Sequence, residues 1–114
     1  MSTDFEDFRM SHLVRTAEDW KQLVSLGATE ESPLDFDFTF ISTSKDAIAD
    51  LEKELSDYSL SVSSEGIFKK KFTISGNSGA IAWNESRLLQ WVDYLIQVGA
   101  DSGCEFEGCG ASAP

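Results

Sequence analysis

This sequence is short of basic side chains, of histidine and of cysteine. Its 114 residues hold 9 Lys and Arg against 20 Asp and Glu, one histidine, two cysteines and two prolines, for a formal net charge of -11. The shortage of cations argues against a nucleic-acid partner, because holding a phosphate backbone depends on Lys and Arg displacing its counterions. With His12 alone and no Cys-x-x-Cys pair, a metal site would have to be gathered from scattered carboxylates, so none is expected, nor any cofactor. Cys104 and Cys109 stand five residues apart, which on a regular strand means about 17 Å and opposite faces, out of reach of a disulfide. No run approaches the roughly 18–20 apolar residues that cross a bilayer. The first residues, through Arg9, have neither the basic nor the apolar region of a signal peptide, so a cytoplasmic protein without membrane contact is the expectation.

What is present suffices for a fold. Hydrophobic residues make up 41% and aromatics 11%, well above a disordered acidic chain, and the length suits one domain. Residues 1–16 mix Phe5, Phe8, Met10, Leu13 and Val14 with charges in no firm period and read as an N-terminal arm, either an extension or loosely helical. Thr16, three residues before Asp19, predicts the cap of a short helix over about Ala17–Leu26, stopped by Gly27. After a linker ending at Pro33, Leu34, Phe36, Phe38 and Phe40 alternate with Asp35, Asp37 and Thr39, the pattern of a half-buried strand. Thr43 and Ser44 both offer caps for a helix over about Lys45–Ser56, with Ala47, Ile48, Leu51 and Leu55 on one face. Tyr58, Leu60 and Val62, then Phe68, Phe72 and Ile74, predict a hairpin of two strands. Asn84 starts the longest amphipathic helix, ending before Gly99, and Cys104 and Phe106 alternate with Glu105 and Glu107 in a last strand. Residues 112–114 form a tail.

Strand, helix, strand, strand, helix, strand is the ferredoxin-like βαββαβ order. The expected architecture is α+β: one antiparallel sheet, helices on one face, an extra N-terminal helix, and a single domain over residues 17–111. Right-handed crossovers give strand order 4-1-3-2, so the first strand neighbours the third and the fourth. One sheet face is then covered and the other open.

Four stretches resemble one family. They are Phe36 through Phe40, the Ser/Thr-rich turn into Asp46 and Ala47, the strand from Tyr58 to Val62, and the ending from Gly103 to Gly110, Gly-Cys-Glu-Phe-Glu-Gly-Cys-Gly. Together they are similar to the RraB family, regulators of ribonuclease E activity, over roughly residues 18–111. In that family the last strand reads Gly-Gly-Glu-Tyr-Asp-Gly-Trp-Gly or similar, so Glu105, Phe106, Glu107 and Gly108 match conservatively while Cys109 replaces the usual tryptophan. The resemblance implies a small acidic ferredoxin-like protein that binds and inhibits ribonuclease E without being an enzyme.

On the expected open face stand Asp35, Asp37, Thr39, Lys69, Lys71, Thr73, Glu105 and Glu107. Their bland role is a solvated face with cross-strand ion pairs. Their functional role is a row of four carboxylates, Asp35, Asp37, Glu105 and Glu107, that attracts the basic segment of a protein partner. Trp91, if its ring faces outward, would join that surface, since exposed tryptophan is enriched at binding hot spots. The same positions argue against an RNA-recognition module, which stacks bases on aromatics at the two central strands. Lys69, Lys70 and Lys71 are the one basic run and read as ion-pairing residues. Gly66, Gly76 and Gly79 form no phosphate-binding motif, and no nucleophile stands beside a base, so no enzyme is expected. An immunity or antitoxin protein that occludes a basic toxin fits the same composition and is the alternative to a nuclease regulator.

Overall fold

The computed structural model describes residues 3–66 and 71–111. Within them are helices α1 (Thr3–Ser25), α2 (Lys45–Glu54) and α3 (Glu85–Ser102), and strands β1 (Pro33–Leu34), β2 (Asp37–Ser42), β3 (Ser61–Glu65), β4 (Lys71–Asn77), β5 (Ile81–Ala82) and β6 (Glu105–Gly110). The class is α+β with two antiparallel sheets, a small one pairing β1 with β5 and a four-stranded one in the order β3-β4-β2-β6. The strand starting near residue 37 therefore has the two neighbours expected for it. Phe68, Lys69, Lys70 and the tail at 112–114 lie outside the described residues.

Alternation along β2 buries Phe38, Phe40 and Ser42, and along β4 it buries Phe72 and Ile74. Phe38, Phe40, Phe72 and Ile74 form one core with Phe106 of β6, Ile48 and Leu51 of α2, and Leu88, Val92, Leu95 and Ile96 of α3. Of the two hydroxyls offered, Ser44 caps α2 by accepting from the Ala47 N–H, and Asn84 caps α3, as the sequence predicts, by accepting from the Arg87 N–H.

The N-terminal arm and short helix are instead one helix of 23 residues. Phe5, Phe8, His12, Thr16, Trp20 and Leu23 recur every three or four positions, and this stripe lies against α3 and β6. Two of its members, His12 and Thr16, are polar, which hides the period. Thr16 is no cap: it is buried in mid-helix, its hydroxyl donating to the His12 carbonyl at 2.7 Å. Arg9 adds a two-pronged ion pair to α3, with Nε 2.6 Å and Nη2 2.9 Å from the two oxygens of Asp93.

The strand expected over Leu34–Phe40 is broken at Asp35 and Phe36. Their polar groups bond to the loop after β4: the Asp35 carboxylate accepts from Asn77 Nδ2 at 2.9 and 3.2 Å and from the Gly79 N–H at 3.0 Å. Phe36 donates its N–H to Ser78 Oγ and accepts from the Ser78 N–H. Inward burial of Leu34, Phe36, Phe38 and Phe40 survives the break.

The second strand starts later than its alternation suggests. Tyr58 belongs to the turn after α2, and Val62 is 45% exposed although it pairs with buried Ile74, because β3 is the sheet edge and the helical layer thins there. Helix α3 also runs through Gly99 rather than stopping before it. A Cβ there would lie 2.7 Å from the Cys104 carbonyl and 2.7 Å from the Phe40 ring, so glycine permits helix and sheet to touch. The stop is Gly103, at a φ of 90°.

Candidate functional site

The open face is set by strand register. Asp37 lies between Asn77 and Gly110, Thr39 between Ser75 and Gly108, and Ile41 between Thr73 and Glu105. On the far side Ser61 pairs with Ser75, Ser63 with Thr73, and Glu65 with Lys71. A band of hydroxyls, Ser61, Ser63, Thr73, Ser75 and Thr39, thus crosses three strands and leads to the carboxylates of β6. The alternating serines at 59, 61 and 63 were the signal for this band, but its continuity depends on register.

The pairing of β6 with β2 shifts between Thr39 and Phe40, a bulge that sets Glu107 and Gly108 together opposite Thr39. Asp37 and Glu107 consequently share one shallow hollow of about 300 Å³, lined also by Thr39 and by Gly108, Cys109 and Gly110 at the end of β6. The expected row of four carboxylates is reduced to this pair. Glu105 lines a different hollow with Phe5 and Phe8 of α1, and Asp35 is engaged by Asn77 and Gly79. The cross-strand ion pairs expected with lysines are not formed among the described residues, whose ion pairs are Arg9 with Glu6 and with Asp93.

Trp91 does not face outward. It is half-buried, its Nε1 donates to the Tyr58 hydroxyl at 2.9 Å, and its ring centroid lies 5.1 Å from Trp83 and 5.8 Å from Phe38. Packing against the sheet accounts for it.

The same bulge corrects the cysteines. It turns Cys109, paired with inward Phe38, toward the core side that holds Cys104, so the two do not face opposite ways; both thiols are free. Burial raises the Cys104 thiol, and burial with the Asp19 charge pushes Cys109 up to about 12. At neutral pH both are protonated and weak nucleophiles. Among the described residues no group of three His, Cys, Asp or Glu is placed to hold a metal ion, and no helix is long and apolar enough to cross a membrane.

His12 stands edge-on between Phe8, at 4.7 Å, and Phe106, at 5.1 Å. Burial, and then the charge of Arg15, hold its pKa below the ordinary value, with Glu105 pulling the other way. Between about pH 6.5 and the lower native pKa, the unfolded chain binds a proton that the folded one does not, so stability falls as pH drops through that window. Asp93, whose pKa is lowered by its hydrogen bond from Arg9, contributes stability that is lost only below the ordinary carboxylate range. We expect thermal unfolding followed from pH 7.5 to 5.5 to show a falling Tm, and His12→Phe to flatten that fall while keeping the aromatic contact. An unchanged slope in the variant would assign it elsewhere.

No protein-family model matches the chain, and no curated protein matches it.

Proposed function

We propose that this chain is a non-enzymatic, acidic protein-binding regulator on a ferredoxin-like domain, acting in the cytoplasm on a partner with basic segments, as the RraB inhibitors of ribonuclease E do. The observation that carries the reading is the open face, where Asp37 and Glu107 share a hollow and, among the described residues, no lysine pairs with either. Two exposed carboxylates lining one hollow, in a chain of net charge -11, draw in a basic segment and speed its encounter. Strand order β3-β4-β2-β6, with helices after β2 and before β6, supports the ferredoxin-like assignment. The described outward positions of the two central strands are Asp37, Thr39, Ile41, Lys71, Thr73, Ser75 and Asn77, none of them an aromatic platform for RNA bases. The likeness to RraB itself rests on the short stretches of sequence named above.

Affinity capture with the tagged chain should recover ribonuclease E or its assembly partners, and the purified chain should slow RNA cleavage by ribonuclease E as it approaches equimolar amounts. Unchanged cleavage with the chain in excess would refute the assignment to this nuclease. Tight binding of single-stranded RNA at physiological salt would refute the reading of the open face.

A further inference from the structure

The two edges of the four-stranded sheet are unlike. At the β6 edge the strand is bulged at Glu107, carries Gly108 and Gly110, and has α1 packed beside it. These are devices by which proteins keep an edge from pairing with another chain. Strand β3 has none of them. Its five residues pair with β4 in unbroken register, they include no proline or lysine, and every one of them is exposed. Among the described residues nothing pairs with its outer side.

The surroundings of that edge select an occupant. On the helix-facing side Val62 is 45% exposed and Tyr94 of α3 is 45% exposed, with half-buried Tyr58 and Leu60 on the same side of the fold. The chain enters β3 from Glu54 at the end of α2 through a turn that holds Asp57 and Tyr58, and Trp91, one turn before Tyr94 on α3, donates to the Tyr58 hydroxyl there. The beginning of β3 is therefore apolar and acidic, whereas its end carries Glu65 opposite Lys71.

We infer that the outer edge of β3 accepts an extended segment of a protein partner, which adds as a fifth, antiparallel strand with apolar side chains against Val62 and Tyr94 and basic side chains after it, beside Glu54 and Asp57. Backbone hydrogen bonds to the unpaired edge supply affinity, and alternate side chains supply selectivity. A second copy is a poor occupant, because it would bring a net charge of -11 against another -11. The inference rests on the reading of this chain as a binder of basic proteins and names a docking edge distinct from the hollow at Asp37 and Glu107.

The test uses the whole isotope-labelled chain and four synthetic peptides: acetyl-Val-Thr-Val-Thr-Val-Lys-Arg-amide, the same peptide ending in Glu-Glu, and a pair of versions of the first N-methylated on one or the other alternate set of amides. The first should shift resonances of residues 61–65 and the Tyr94 ring and slow exchange of the free β3 amides. One of the two methylated versions should bind roughly tenfold more weakly, the loss expected from removing one or two backbone hydrogen bonds. The acidic ending should weaken binding as well. Equal affinity of both methylated peptides would overturn strand addition. Shifts centred on Asp37 and Glu107 would overturn the edge while leaving the basic-partner reading intact, and no binding by any peptide would overturn both. Shifts at β3 on concentrating the chain alone would make a second copy the occupant.

Discussion

Replacing Phe40 by alanine is expected to cost about 3–5 kcal/mol of folding stability, the range for deleting a fully buried phenylalanine from a packed core. Its ring is wholly buried and stands edge-on to Phe38, centroids 5.9 Å apart, and to Phe106, 5.6 Å apart. It also lies under Gly99, where α3 comes closest to the sheet. Four elements therefore meet on one side chain: β2 that bears it, α3 above it, and β6 and β4 to either side. The void cannot close by local repacking, because Gly99 has no side chain to fill it and the paired strands fix the backbone. Against a typical total of about 5–15 kcal/mol, the variant should be marginal. Urea unfolding checks this: with m near 1.5 kcal/mol/M the midpoint should fall by roughly 2–3 M at unchanged m. Thr39→Ala, one residue away on the open face, should cost less than about 1 kcal/mol. A Phe40→Ala midpoint close to the parent would mean that the core is not organised around this ring.

Elements whose signal lies within one stretch of chain were legible in the sequence. The caps at Ser44 and Asn84, the apolar faces of α2 and α3, and the inward phenylalanines of β2 each depend on near neighbours, and the structure has them where the residues put them. What escaped depends on residues distant in sequence. The break at Asp35 exists because Asn77, Ser78 and Gly79 compete for its strand's polar groups. Val62 obeys the alternation and still faces solvent, since alternation gives a side of the sheet and not whether a helix covers it. At the candidate site the outward placement of Asp37 and Glu107 was legible, but their meeting in one hollow comes from the bulge, and glycine at 108 hinted at it without fixing it. Helix α1 escaped for another reason: its buried stripe passes through His12 and Thr16, whose polar atoms are accommodated by ring edges and by a carbonyl one turn back.

Reversing the two charges of that hollow, Asp37→Lys with Glu107→Lys, is expected to slow association with a basic partner by about 10–100-fold at low salt, the size of a steering effect that changes sign. Both side chains are exposed and neither donates nor accepts a side-chain hydrogen bond in the described structure, so the fold should be indifferent to the change. Steering by a surface field decays over a Debye length of about 8 Å at physiological ionic strength. The parent rate should therefore drop steeply between low and physiological salt, and the variant's should stay flat or rise. Net charge alone would give part of this result, since the variant is four units more positive than the parent. Glu18→Lys with Glu52→Lys separates the two causes: it makes the same change in total charge on exposed positions of α1 and α2, on the helical side of the sheet. Stopped-flow association with ribonuclease E, the partner proposed above, should be slowed far more by the pair in the hollow than by the pair on the helices. If both variants slow it equally, the chain acts as a diffuse anion and the hollow has no special role; if neither does, the partner is not recruited by charge.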